Sequence, residues 1–248
     1  MVVSNRETHA LEDLGLSVHG RAGPEWCCDC PACGKESHLH FNPEKRVGHC
    51  KVCDFSGTHI DIAAKIVESE WDRPTGEHLE RLTEWRGLEP HVIAGSPLGF
   101  RDGQCALVSR DKAGWPRDVR RCSIDDKWMS FPGAKVTLFG AEQLADKGRG
   151  DHFVYLCEGE WDAIALDGAL TDANRPGVVL ASPGAGTFKQ EWGDWCAGRR
   201  VIVLYDNDDA GAAGEQRVAK VLRRTARSVQ FHVWDKDLPN KYDISNLI

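Results

Sequence analysis

Hydrophobic and polar positions change their period along the chain, and the change is sharpest near Asp151. Phe153-Val154-Tyr155-Leu156-Cys157 is an apolar run short enough for one buried strand. Trp161 to Leu170 places Ile164, Ala165 and Leu166 in helical phase, and Val178 to Ala181 returns to a strand pattern. Phe188 to Ala197 predicts a second helix, and Val201-Ile202-Val203-Leu204-Tyr205 is the clearest strand in the sequence. Ala212 to Arg227 follows as a helix with Val218, Val221 and Leu222 on one face, and Val229 to Trp234 closes as a strand. Strand alternating with helix is the pattern of a parallel α/β sheet covered on both faces.

Upstream the pattern is less regular. Ile60 to Val67 predicts a helix with Ile62, Ala63 and Ile66 on its apolar side. Short apolar runs between residues 81 and 150 are broken by Gly99, Gly103, Gly114, Pro116, Pro132 and Gly133. They predict antiparallel strands and turns, with Ala106–Val108 and Lys135–Phe139 as candidate strands. Residues 68–80 are acidic, interrupted by Pro74 and Gly76, and read as a linker. The expected organisation is therefore four sections: 1–67, the linker 68–80, 81–150, and 151–248.

Composition narrows the class. In 248 residues, 41% hydrophobic content supplies one sizeable core or two modest ones, which argues against overall disorder. No apolar run approaches the roughly 18 residues of a membrane span. Met1 to Glu25 has neither the basic start nor the apolar centre of a secretory signal, so a cytoplasmic protein without membrane association is expected.

The cysteines add the first chemistry. Six of the ten fall between Cys27 and Cys53, too local for a disulfide scaffold. Cys30-Pro31-Ala32-Cys33-Gly34 and Cys50-Lys51-Val52-Cys53 form two C-x2-C turns separated by enough chain for a hairpin. His38–Phe41 and Val47–Cys50 are its candidate strands. Two such turns present four thiolates to one tetrahedral Zn²⁺, a closed and therefore structural site. Cys27 also stands at x2 spacing from Cys30, and His49 adjoins Cys50. The Cys-Pro-x-Cys-Gly context favours Cys30, Cys33, Cys50 and Cys53 as ligands and leaves Cys27 and Cys28 as bystanders. Trp26, Phe41 and Phe55 are either the core of this small section or a stacking surface for single-stranded bases.

Acidic residues supply the second. Glu158-Gly159-Glu160-Trp161-Asp162 follows one predicted strand, and Asp206-Asn207-Asp208-Asp209-Ala210-Gly211 follows another. The carboxyl ends of parallel strands gather along one sheet edge, so Glu158 and Asp206 are expected near each other. Asp206 and Asp208, two residues apart, face the same way in extended backbone. Converging carboxylates repel unless a cation intervenes, and hard oxygen ligands suit Mg²⁺ or Mn²⁺. The plain alternative is that acids in these loops cap helices.

Net charge is −7, yet residues 86–136 carry nine Lys/Arg against six Asp/Glu. A basic middle followed by an acidic end fits a polyanion beside a divalent-cation site.

Together these segments resemble the DnaG-type and phage primases. Leu156 to Ala163 is similar to the Glu-Gly opening of a TOPRIM domain, and Asp206 to Gly211 to its Asp-x-Asp motif. The cysteine section resembles the primase zinc ribbon. Arg86-Gly87-Leu88, Val119-Arg120-Arg121 through Gly140, and Ala185 to Lys189 are similar to other parts of the primase core. The resemblance implies an α/β chain: an N-terminal zinc ribbon, a small α+β basic subdomain, and a parallel-sheet TOPRIM domain. It implies synthesis of short primers on single-stranded DNA from nucleoside triphosphates. Glu158, Asp206 and Asp208 would be catalytic, with Asp162 and Asp243 completing a magnesium or manganese site. Arg120, Arg121, Lys127 and Lys189 would contact triphosphate or template. No G-x4-GK[ST] loop occurs, since Gly34-Lys35 is followed by Glu36, so a helicase partner would be a separate protein. Two other readings remain, a RecR-like DNA-binding regulator without catalysis and a TOPRIM nuclease. The basic insert between cysteines and acids favours the primase over the former. A topoisomerase needs a nucleophilic Tyr in a further domain, and two of the three Tyr fall in predicted strands.

Overall fold

The structure is a computed structural model and describes residues 6–124 and 126–248. Helix α1 (Arg6–Leu14) precedes a five-stranded antiparallel sheet of β1 (Val18–Ala22), β2 (Glu25–Cys28), β3 (Leu39–Asn42), β4 (Val47–Cys50) and β5 (Ser56–Thr58), ordered as in the sequence. The expected hairpin is its centre: Leu39 pairs with Cys50 and Phe41 with Gly48. A Cβ on Gly48 would stand 2.8 Å from Ile62 Cδ1, so glycine lets the helix behind this strand pack without the Ile62 side chain having to shift. That helix, α2 (His59–Glu70), starts at a capping box: Asp61 N–H donates to Thr58 Oγ1, and Thr58 N–H to Asp61 Oδ2. Its Ile62, Ala63 and Ile66 face the core with Leu11, Leu14, Leu39 and Phe41.

Next come α3 (Gly76–Arg86) and α4 (Pro90–Gly95). Of residues 68–80, the first three complete α2 and the last five lie in α3. What connects these helices is Trp71 to Thr75, and Trp71 is itself buried. A second antiparallel sheet follows, ordered β6 (Gly99–Arg101), β7 (Gln104–Arg110), β8 (Pro116–Ser123), β9 (Met129–Ser130). Lys135–Phe139, a candidate strand, is not one: only Phe139 pairs, exchanging two hydrogen bonds with Ala181. Lys135 N–H instead donates to Arg117 O, because the two ends of this segment serve different parts of the molecule.

The remainder alternates as its pattern demands: β10 (Phe153–Cys157), α5 (Glu160–Asp172), β11 (Gly177–Ala181), α6 (Gln190–Trp195), β12 (Arg200–Leu204), α7 (Asp209–Leu222), β13 (Ser228–Phe231) and α8 (Ile244–Leu247). The four strands are parallel, ordered β11-β10-β12-β13. Cys157 is level with Ala181 on one side and Leu204 on the other, which brings the loops after β10 and β12 together. The second helix is shorter than its pattern, and α7 starts three residues early because Asp208 caps it.

The chain packs as two compact units. One comprises residues up to Pro74 with 97–108 and 116–136; the other comprises 75–96, 109–115 and 137–248. Among the described residues no helix is long and apolar enough to cross a membrane.

Candidate active site and metal centre

In the first unit, the Sγ atoms of Cys30, Cys33, Cys50 and Cys53 all lie within 4.8 Å of one another. Cys30 and Cys53 are 3.7 Å apart, and Cys33 and Cys50 3.9 Å. A tetrahedron with metal–sulfur bonds near 2.3 Å has edges of about 3.8 Å, so the four thiols fit one tetrahedral metal ion. The backbone prepares them. Gly34 adopts φ +67 after the second cysteine, and its N–H donates to Cys30 O in a tight knuckle. Burial opposes the Cys50 thiolate, yet the N–H groups of Cys53 and Val52 and the neighbouring thiols bring its pKa down to about 7. Cys28 points into the core instead, where burial pushes its pKa up to about 12. Phe41 is fully buried, and Trp26 and Phe55 pack against the same core. Phe41 is therefore a core residue, while Trp26 and Phe55 are half-buried at the edge of that core.

In the second unit, Glu158 and Asp206 leave adjacent strands at the same edge of the parallel sheet. The N–H of Asp206 lies 3.4 Å from Glu158 Oε2. A Cβ on Gly211 would collide with Asp206 O, so glycine there lets the first turn of α7 close onto the loop. Asp208 caps α7, its Oδ1 accepting from Gly211 N–H at 2.7 Å. Asp243 caps α8 in a reciprocal box with Asn246. Buried in the first turn of α5, Asp162 accepts from Ser245 Oγ at 2.8 Å. Capping thus occupies one oxygen of Asp208 and one of Asp243.

Electrostatics bind these five into one group. Burial, followed by repulsion from Asp162, Glu158, Asp243 and Asp208, raises the pKa of Asp206 to about 8. Burial also raises Glu158 and Asp162, with Asp208 acting on the first and Asp243 on the second. The five carboxylates stand close enough to repel, although among the described residues only the four thiols close to within 4.8 Å of one another. Such a group has surplus negative charge and carboxylate oxygens left over from capping, which is what a hard divalent cation neutralises.

The basic candidates are dispersed. Arg120 is only 9% exposed and donates to Ser130 Oγ at 3.1 Å, so it serves the antiparallel sheet rather than facing solvent. Arg121 is half-buried beside it, and Lys127 is exposed in the β8–β9 connection. Lys189 is exposed at the N-cap of α6, its Nζ 5.0 Å from the centre of the Trp192 ring.

Three further positions attend the acidic site; Arg86 belongs to the Arg86-Gly87-Leu88 segment that resembles the primase core, while Ser245 and Ser182 carry no sequence signal. The Arg86 guanidinium lies over Trp85 at 5.4 Å and Trp161 at 5.1 Å, and its charge stabilises the Asp162 carboxylate. Ser245 reaches Asp162 across 83 residues. Ser182 Oγ bonds Tyr205 Oη at 2.7 Å and lies 3.4 Å from Glu158 O, supporting the loop from beneath. Each depends on pairings that only the closed fold creates.

Residues 155–248 match a family described as Toprim-like. No curated protein sequence matches the chain. Among solved structures, the chain is similar to the zinc-binding and RNA polymerase domains of the Aquifex aeolicus primase, at 16% identity and a TM-score of 0.50, over 99% of this chain and 82% of that one. It is also similar to the primase fragment of the bacteriophage T7 primase-helicase protein, at 18% identity and a TM-score of 0.51, over 94% of both chains. A DnaG primase catalytic domain bound to single-stranded DNA matches at 18% identity and a TM-score of 0.51, over 71% of this chain and 70% of that one. These likenesses establish the fold: a zinc-ribbon-type cysteine section, an antiparallel subdomain and a Toprim-like domain, in the chain order of DnaG-type primases.

Proposed function

We propose that this chain is a primase, joining nucleoside triphosphates into short oligonucleotides on a single-stranded DNA template. The observation that carries the proposal is the group of five mutually repelling carboxylates at the carboxyl edge of the parallel sheet, in a Toprim-like domain preceded by a four-cysteine centre. In this reading Glu158, Asp162, Asp206, Asp208 and Asp243 hold Mg²⁺ or Mn²⁺, and the four cysteines hold Zn²⁺. A bound divalent cation would neutralise phosphate charge and lower the pKa of the attacking 3′-hydroxyl.

The residues themselves do the rest. Glu158, its pKa raised by burial, is suited to take the hydroxyl proton, while the Asp206 N–H near Oε2 orients its carboxylate. Ser182 and Tyr205 fix the backbone on which Glu158 is carried. Lys127 and Lys189, both exposed cations, would meet template or triphosphate, with Arg121 as a third contact. The reading places the protein in the cytoplasm, working with a replicative helicase.

Primer synthesis on single-stranded DNA with labelled nucleotides tests this. Wild-type protein should give labelled oligonucleotides only when Mg²⁺ or Mn²⁺ is present. Asp206→Ala should reduce synthesis about 100-fold or more, and Glu158→Gln, which keeps shape and removes charge, should do nearly the same. DNA binding without synthesis by the wild type would favour the RecR-like regulator, and strand cleavage would favour the nuclease.

A further inference from the structure

A cavity of about 470 Å³ lies wholly within the unit that holds the cysteines, well away in sequence from the acidic loops. That volume falls in the roughly 300–1,000 Å³ range of small-ligand clefts. Its floor is the antiparallel sheet. Arg101 and Gln104 are cross-strand partners on β6 and β7, and Arg121 and Met129 on β8 and β9. Asp13 of α1 and Trp71 form its other walls.

The two guanidinium groups are in different states. Arg101 is tied down, donating to Leu14 O at 3.2 Å with Glu70 Oε2 at 3.7 Å. The Arg121 guanidinium is half-buried and makes no hydrogen bond or ion pair with another described residue. Burial lowers its pKa, and Asp13 opposes that shift. A partly desolvated guanidinium that has no hydrogen-bond acceptor among the described residues is costly, and a cavity beside it is where an acceptor would enter. Met129 is 61% exposed, leaving a thioether on the same wall.

Charge then selects the ligand. Asp13 and Asp102 balance Arg101 and Arg121 among the lining residues, so a bare phosphate would meet as much negative charge as positive. A planar neutral ring fits better. Its carbonyl or ring nitrogen would accept from Arg121, its N–H edge would reach a carboxylate or the Gln104 amide, and its face would lie on Met129 and the edge of Trp71. We propose that this cavity takes a single unstacked nucleobase, recognised along its hydrogen-bonding edge by Arg121 and Gln104. The proposal rests on the nucleic-acid reading above but names a site distinct from the acidic one.

The test uses the full chain and 2-aminopurine, placed in turn at each position of a short single-stranded oligodeoxynucleotide, with acrylamide as quencher. One position should become roughly threefold less quenchable, or more, on binding wild-type protein. Arg121→Ala and Met129→Ala should both restore quenching towards the free value, and Met129, exposed as it is, can be truncated without disturbing the core. A second arm uses free 2-aminopurine nucleoside triphosphate. Protection in the first arm assigns the base to the strand, and protection in the second assigns it to the nucleotide pool. No protection in either arm, or protection unchanged in both variants, overturns the proposal. Primer synthesis is assayed separately: a protected base without synthesis removes the primase reading and keeps the cavity, while synthesis with no protected base does the reverse.

Discussion

Asp118 shows at the scale of one residue what burial costs when the partner set is short. It is 1% exposed in β8, and its Oδ1 accepts from Phe131 N–H at 3.0 Å. Burial raises its pKa to about 6, against the opposing pull of Ser130, Phe131 and Arg120. Because the folded chain holds this proton more tightly than the unfolded one, Asp118 destabilises the fold once it ionises. Stability should therefore be greatest below about pH 4 as far as this group decides, and fall as pH rises through about 6. The loss would be on the order of 2–3 kcal/mol. Asp118→Asn keeps the bond to Phe131 and removes the charge, so urea melts of the variant should lack that part of the slope and show higher stability at pH 7. An unchanged slope between pH 4 and 7 would show that Asp118 is not its source. Nothing in the sequence distinguished Asp118 from the solvated acids around it, since the polar segment Pro116–Ser123 does not alternate and gives no hint that a carboxylate faces inward.

Among the elements, the cysteine knuckles and the parallel strands were legible for opposite reasons. Ligand spacing in the knuckles is local, so C-x2-C pairs and a hairpin between them determine the geometry before any packing is known. Three of the strands, β10, β11 and β12, were legible because each is largely buried and reads as an apolar run, whereas the edge strand β13 alternates. Element ends were not legible, because caps set them: α7 begins where Asp208 accepts from Gly211, and α2 where Thr58 and Asp61 pair. The knuckles carry a direct prediction. Cys50→Ser should lose the bound metal by elemental analysis, and the five-stranded sheet should become several times more susceptible to proteolysis. Cys28→Ser should retain it, since that side chain belongs to the core. Equal metal content in the two variants would dismiss the ligand set.

For the whole molecule, net charge of −7 conceals where cations are placed. Lys127 and Lys189 are exposed to an approaching polyanion, whereas Arg120 is committed to Ser130. Replacing each lysine by Ala should weaken single-stranded DNA binding across sequences. The slope of log affinity against log salt should fall by about 0.7 for each phosphate that the lysine had neutralised. Fluorescence anisotropy at several salt concentrations measures it, and an unaltered slope in the double variant would place the binding surface elsewhere. By itself the sequence determined the α/β class, the cysteine centre and the two acidic loops, because strand period, knuckle spacing and the position of acids after apolar runs are properties of neighbouring residues. Only the tertiary structure decided which basic residues are exposed, that Ser245 and Arg86 attend Asp162, and that the chain alternates between two compact units rather than filling them in sequence. Those outcomes depend on which segments pack together, and burial of a side chain is fixed by partners that lie tens of residues away.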